Sequence, residues 1–333
     1  MNARQLTILA VLALLSVGAA AAVLRTGAPT VASDRRGERV LPGLADKANE
    51  ITGLTVRKGT ESLPIERRDA GFVAGESGYP IKAEAVRDLV ASSIELTFEE
   101  ARTSDPARYG DLGLADPGEP NAGTEIILRT AAGELADFVT GNRDSTVGGP
   151  VGGAFVRLKG TSQTWLARGN VRLPSSRSDW FTAIDLGIKR SDISKIEVSG
   201  GGQEAVTATA EKPGEFTLEN VPEKRVADSY KVSRLASPIE SFTFDDVRKA
   251  GKPADDPRRL AAEIGDGLRL IITNVGEPSE RWVEISAEAI DESARDKAKA
   301  IAAKVNGFDF RLPAREAEVL GWTNADLTNE QKS

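Results

Sequence analysis

Thr97-Phe98-Glu99-Glu100-Ala101-Arg102 returns further along the chain as Thr243-Phe244-Asp245-Asp246-Val247-Arg248. Two stretches that agree in the order of aromatic, acidic, aliphatic and basic positions mark an internal repeat, which decides the fold before any single element does. Each reads as a strand end meeting a helix start. Paired carboxylates suit the positive end of a helix dipole.

The repeat extends outward from these anchors. Upstream, Ile51-Thr52-Gly53-Leu54-Thr55-Val56 and Ile193-Ser194-Lys195-Ile196-Glu197-Val198 both alternate in strand fashion. In the first copy a second strand is expected over 63–67. Gly71-Phe72-Val73-Ala74 then leads through Gly78-Tyr79-Pro80 into a helix over 82–93, where Val86, Leu89 and Val90 share one face. In the second copy the strands are 204–209 and Glu215-Phe216-Thr217-Leu218. A helix over 228–236 follows, with Val232 and Leu235 apolar. Downstream, the first copy closes with strands over 125–129, 135–140, 154–158 and 164–167. The second has 268–273, 281–285, a helix over 291–305 and a strand over 308–312.

Hairpin-length links favour an α+β fold: an N-terminal transmembrane helix, then two similar strand-rich α+β repeats with mainly antiparallel sheets. The expected divisions are an anchor over 1–25, a linker over 26–46 and a first repeat over 47–169. A connector over 170–190, a second repeat over 191–313 and a loose polar tail over 314–333 complete the chain.

Composition narrows the function. The 333 residues are 40% hydrophobic and 28% charged, which suits a folded chain. The formal charge is −7 and the pI about 5.1, with no basic stripe, so no nucleic acid is expected as partner. There is no Cys and no His. Thiolate chemistry, zinc–sulfur sites and every Ser–His–Asp arrangement are thereby excluded.

Residues 6–24, LTILAVLALLSVGAAAAVL, form an uncharged apolar run. As a helix it spans roughly 28 Å, close to the hydrocarbon core of a bilayer. A cleaved signal peptide is the rival reading, with small residues at Ala19–Ala22 for processing; the run continues past them through Val23 and Leu24. Arg4 precedes the span, and Arg25, Arg35, Arg36 and Arg39 follow it. By itself that count opposes an external C-terminus, although large domains translocate despite their charge.

Candidate chemistry is sparse. Val147-Gly148-Gly149-Pro150-Val151-Gly152-Gly153 lacks the Gly-Lys-Ser/Thr of a phosphate loop, and a strand follows it. A mobile hairpin between Thr140 and Ala154 is expected, and it is the first place to look for recognition. Glu99-Glu100 and Asp245-Asp246 are adjacent in sequence and do not face one another as a glycosidase pair would. Asp105, Asp111, Asp116 and Glu119 lack the alternation of a calcium loop, and turns around Pro106 and Pro117 account for them. Trp165 and Trp282 sit in late strands taken to match, so a core role is expected. No catalytic, cofactor-binding or metal-binding residue is assigned, and the binding residues are left open.

The ordered set of the apolar span, Leu41-Pro42-Gly43-Leu44, the Ile-x-x-Ile/Leu-x-Val openings, Gly78-Tyr79-Pro80, Tyr109-Gly110-Asp111-Leu112-Gly113-Leu114 and Trp180-Phe181 resembles a known family. It looks like the bacterial membrane-anchored proteins known only as domain of unknown function 4340, over roughly residues 40–313. Phe72 departs from the pattern, where a Trp is expected. The resemblance implies a single-pass inner-membrane protein with its bulk in the periplasm. It also implies association with an ABC-type transporter, of the gliding-motility or auxiliary-export kind, through permease or ATPase subunits. A non-catalytic accessory protein without cofactor is the resulting expectation. A periplasmic module binding a small molecule, glycan or lipid between the copies is the alternative, and a hydrolase the weakest reading.

Overall fold

The structure is a computed structural model that describes residues 35–331 apart from 70, 254 and 266. The expected membrane span over 6–24 lies outside the described residues, among which no helix is long and apolar enough to cross a membrane.

Eight strands come from the first half: β1 (Ile51–Lys58), β2 (Glu61–Arg68), β3 (Gly71–Ala74), β4 (Thr97–Ala101), β5 (Thr124–Thr130), β6 (Gly133–Asp144), β7 (Gly153–Leu158) and β8 (Thr164–Arg168). They form one sheet in the order β3-β2-β1-β5-β6-β7-β8-β4. The second half gives β9 (Ile193–Gly200), β10 (Gln203–Lys212), β11 (Glu215–Leu218), β12 (Arg225–Ala227), β13 (Asp246–Lys249), β14 (Arg259–Ile264), β15 (Leu268–Asn274), β16 (Trp282–Ala289) and β17 (Phe308–Arg311). Its sheet runs β11-β10-β9-β14-β15-β16-β17-β13. With β12 set aside, both sheets place their own strands in the order third, second, first, fifth, sixth, seventh, eighth, fourth. The duplication read from the sequence is therefore a duplication of topology. β12 pairs instead with β18 (Thr328–Glu330) in a two-stranded ribbon.

By contacts the described chain divides into two compact units, one of residues 35–50, 56–62 and 90–172, the other of 51–55, 63–89 and 173–331.

Side-chain alternation builds the second sheet. Leu260, Ala262 and Ile264 of β14, Leu268, Leu270 and Ile272 of β15, and Val283 and Ile285 of β16 are buried. Arg259, Glu263, Arg269 and Glu284 take the alternate positions. Each fully buried Leu, Ile or Val is worth about 1.5–3 kcal/mol against exposure, which fixes the register. β5 differs: Glu125, Ile126, Ile127 and Leu128 are buried in succession, because a strap lies over its second face.

Helix boundaries follow local chemistry. The helix Ala83–Glu95 buries Val86, Leu89 and Val90, the face expected from their spacing. Asp228 caps the helix Ser229–Arg234 by accepting from the Lys231 N–H at 3.2 Å. The second helix is shorter than expected, because a new turn, Ser237–Glu240, starts with Pro238 in its first positions. In Arg295–Val305, Ala298, Ile301 and Val305 form the buried face.

Four expectations are corrected. The paired acids do not start helices: Glu99 and Glu100 lie within β4, Asp246 opens β13 and Asp245 precedes it. Residues 35–44 are not a free linker, since Val40, Leu41 and Leu44 are buried. The supposed loose tail holds a helix, Ala314–Gly321, and the strand β18, with Val319 and Leu327 wholly buried. Trp165 and Trp282 occupy the eighth and seventh strands of their sheets and are not equivalent.

Candidate functional site

In the first unit, Asp105 accepts from the Ala107 N–H and starts a 3-10 helix, Pro106–Leu112, which Gly113 ends in the left-handed region. Tyr109, Leu114 and Val139 then form a small buried cluster with Leu112 and Phe155 against it. Gly123 is required there: a Cβ on it would stand 2.6 Å from the Gly113 carbonyl oxygen and 2.8 Å from that of Thr140. The Tyr109-to-Leu114 motif is thus a strap seated directly on the sheet backbone.

Beneath this strap runs a row of charges. Glu125, 3% exposed, takes Arg57 at 2.9 Å and Lys159 at 3.3 Å. Lys159 also reaches Asp116 at 2.9 Å, and Arg157 pairs with the same carboxylate. The Arg157 guanidinium lies 4.6 Å from the Tyr109 ring centroid and donates to the Leu114 carbonyl at 3.2 Å. The Tyr109 hydroxyl donates to the Ser162 carbonyl at 2.6 Å. Hydrogen bonding from Lys159, with Arg157 assisting, holds the Asp116 carboxyl below its usual range. Burial pushes the Asp137 carboxyl up, helped by Glu125 and Glu134. Its buried Oδ1 has no hydrogen-bond partner among the described residues. Burial alone would lower the Lys159 ammonium, but its bonds to Asp116 and Glu125 prevail and raise it. This arrangement fastens the strap and can take up a proton at Asp137.

The other candidates are scattered. Glu99 is gripped by Arg168 at 2.9 Å and by Arg36, and the hydrogen bond from Arg168 draws its carboxyl down. Glu100 meets Arg102 at 3.1 Å, Asp245 meets Arg281 at 3.2 Å, and Asp246 meets Arg177 at 2.8 Å. The repeated acids are therefore acceptors for arginines in both copies. Asp111 sits 3.6 Å from Arg108, and Glu119 accepts from the Asp116 N–H at 3.1 Å. No group of acids among the described residues could hold a metal ion. Trp165 packs 4.6 Å from Phe98, and Trp282 lies under Arg248 at 4.3 Å.

The glycine-rich hairpin is shorter than expected, because β6 continues to Asp144. Gly148, Gly149 and Gly152 take positive φ, and hydrogen bonds from Thr146 lower the Asp144 carboxyl. Beside Phe155 opens a recess of about 590 Å³ lined by Arg102, Ser104, Arg108 and Asp111. A second, of about 530 Å³, has Asp192, Glu211, Lys212 and Lys297 on its rim. Neither has a signal in the sequence.

The sheet edges differ between copies. On β3 the Ala74 N–H donates to the Tyr79 carbonyl and the Ile81 N–H to the Phe72 carbonyl, both at 2.8 Å. Tyr79 is fixed there by edge-to-face contacts with Phe181, Phe244, Phe308 and Phe310, at 5.1–6.0 Å between centroids. Its hydroxyl donates to the Thr182 carbonyl at 2.8 Å, and burial pushes the phenol above its usual value. On β4 the Gly37 N–H donates to the Phe98 carbonyl at 2.8 Å and the Phe98 N–H to the Glu38 carbonyl at 2.9 Å. Both edges of the first sheet are thus closed by the chain itself.

In the second sheet Thr209 faces Thr217, and Glu219 donates to Thr207, so Phe216 and Leu218 turn their backbone groups away from β10. Neither has a backbone partner on that side among the described residues. At β13 the Val247 N–H is taken by the Asp246 carboxylate at 2.9 Å.

The family model described as Domain of unknown function (DUF4340) matches residues 72–263. That match starts within β3 and ends within β14, so it runs from the first copy into the second. No curated protein and no solved structure matches the chain. The matched stretch is more than half of the 333 residues, and the chain belongs to the DUF4340 family.

Proposed function

We propose that this protein is a non-catalytic accessory module, tethered to a bacterial inner membrane by residues 6–24 and carrying its duplicated sheets in the periplasm. Its partner is an ABC-type transport complex, engaged through the permease, with the ATPase retained through the permease. The partner class rests on the family resemblance. The observation that supports an interaction role is the edge asymmetry: β3 and β4 are closed by the chain, whereas the outward backbone groups of Phe216 and Leu218 on β11 have no hydrogen-bond partner among the described residues. Unpaired groups on a strand edge are where another chain can add. A non-catalytic role is supported by a sequence without Cys or His, and by paired acids bound to arginines.

A small-molecule binding module is the second reading. The recess beside Phe155, with Arg102 and Arg108 on its rim, favours it.

Affinity capture of the full-length protein from gently solubilised membranes tests the first reading. Permease and ATPase subunits should be recovered, and lost when residues 41–313 are removed. Recovery of the protein alone would count against it. Protease added to spheroplasts should digest the folded part, and full protection would sink the periplasmic placement.

A further inference from the structure

Arg102 ends the first repeat motif where Arg248 ends the second. The registers around them agree strand by strand. Ala101 faces Trp165 and Trp165 faces Val156, as Val247 faces Phe310 and Phe310 faces Val283. The preceding residues on the eighth and seventh strands are then equivalent too, Thr164 with Asp309 and Phe155 with Trp282. In both copies the arginine lies over that aromatic ring, 5.7 Å from the Phe155 centroid and 4.3 Å from that of Trp282. The acid is where the copies part. Arg248 donates from Nε to Asp309 at 3.0 Å, and Asp309 is wholly buried. Thr164 offers Arg102 no such partner, because its hydroxyl donates to the Thr103 carbonyl at 2.7 Å and accepts from the Thr103 N–H at 3.0 Å. Arg102 has instead the exposed Glu100, at 3.1 Å. The recess of about 590 Å³ opens at this point, with Arg102 and Arg108 on its rim and the half-buried Phe155 and Leu112 in its wall. The second copy thus supplies from its own chain the buried carboxylate that the first copy lacks.

We propose that the recess beside Phe155 binds a small organic monocarboxylate, its carboxylate on Arg102 in the role that Asp309 has for Arg248, and its apolar body against Phe155 and Leu112. The guanidinium fork matches the two oxygens of a carboxylate. Glu100 competes for Arg102, and Asp111, 3.6 Å from Arg108, competes for the second arginine. Both are solvent-exposed pairs, which hold weakly, so a ligand carboxylate sheltered by the aromatic wall displaces them. Asp144 also acts on Arg102, from the start of the glycine-rich hairpin. Three acids around two arginines repel a multiply charged anion more strongly than a single carboxylate, which sets the ligand class apart from phosphates. This inference rests on the small-molecule reading and names the kind of ligand that the recess takes.

The probe is benzoate, titrated into the full-length protein in micelles and followed by calorimetry and by saturation transfer to the ring protons. Benzamide, its neutral counterpart, and inorganic phosphate are the comparisons. Benzoate should bind, and benzamide about ten- to a hundredfold more weakly, the equivalent of one hydrogen bond between charged groups. Arg102→Gln, at an exposed position, should weaken benzoate by the same factor and leave benzamide unchanged. Glu100→Gln removes the competitor and should tighten benzoate about two- to fivefold, which a merely structural role for Arg102 would not produce. Benzoate binding that is unchanged in Arg102→Gln, equalled by benzamide or exceeded by phosphate would overturn the proposal while leaving the small-molecule reading standing. Binding of none of the three would remove both.

Discussion

Replacing Tyr79 by phenylalanine and by alanine separates the two ways in which this residue holds the β3 edge. The phenol is 3% exposed, and its hydroxyl has one partner, the Thr182 carbonyl. Tyr79→Phe removes that bond and should cost about 1 kcal/mol. Tyr79→Ala also removes the ring from among Phe181, Phe244, Phe308 and Phe310. Truncation of a buried aromatic costs about 3–5 kcal/mol, and four edge-to-face neighbours place this one near the top of that range. With the lost hydrogen bond the total approaches about 5 kcal/mol, a large part of an ordinary folding free energy. Urea unfolding followed by tryptophan emission measures both, since Trp180 is buried next to Phe181. Hydrogen exchange at Ala74 and Ile81 should quicken in the alanine variant, because the Tyr79 carbonyl and its neighbours close that edge. A Tyr79→Ala loss below about 2 kcal/mol, or equal losses in the two variants, would refute this reasoning.

Further outcomes follow from the strap and its charges. Gly123→Ala should destabilise by about 1–3 kcal/mol, since backbone carbonyls block the new Cβ. Gly110→Ala, whose nearest neighbours would stand 3.7 Å away, should be close to neutral in the same urea titration. Arg157→Met keeps the stem but strips the Leu114 carbonyl and Asp116 of a donor, and should lower stability by about 2 kcal/mol; an unchanged midpoint would show that the guanidinium does not fasten the strap. The two carboxyls respond to pH with opposite sign. Asp116, depressed in the fold, contributes stability at neutral pH that is lost as pH falls through its lowered value. Asp137, raised in the fold, favours the folded state when protonated, and that contribution is lost as pH rises through its raised value. Asp137→Asn should therefore stabilise the protein at pH 7 and lose the gain in acid; urea midpoints at both pH values decide it.

The repeat was legible because strands with alternating side chains and a helix with a three- and four-residue spacing leave periodic traces. Val86, Leu89 and Val90 and the openings at Ile51 and Ile193 are of that kind. At the paired acids local chemistry alone favours a helix start. Pairing of β4 with β8, and Arg168 waiting for Glu99, prevails over that preference. β14 leaves no trace in the sequence because Leu260-Ala261-Ala262 has no strand bias of its own, and its state is set by lying between β9 and β15. The ordered tail hangs on Leu327 and the pairing of β12 with β18, a contact between distant parts of the chain. The charge row and the unpaired backbone groups of β11 have no signal in a single sequence, since both depend on which strands become neighbours.

A photoreactive side chain placed in living cells at Thr217, exposed on β11, and separately at Val73, its counterpart on the closed β3, tests the central claim most directly. An adduct with a transport-complex subunit from position 217 and none from position 73 is the predicted result. No adduct at 217, or the same adduct from both positions, would contradict it.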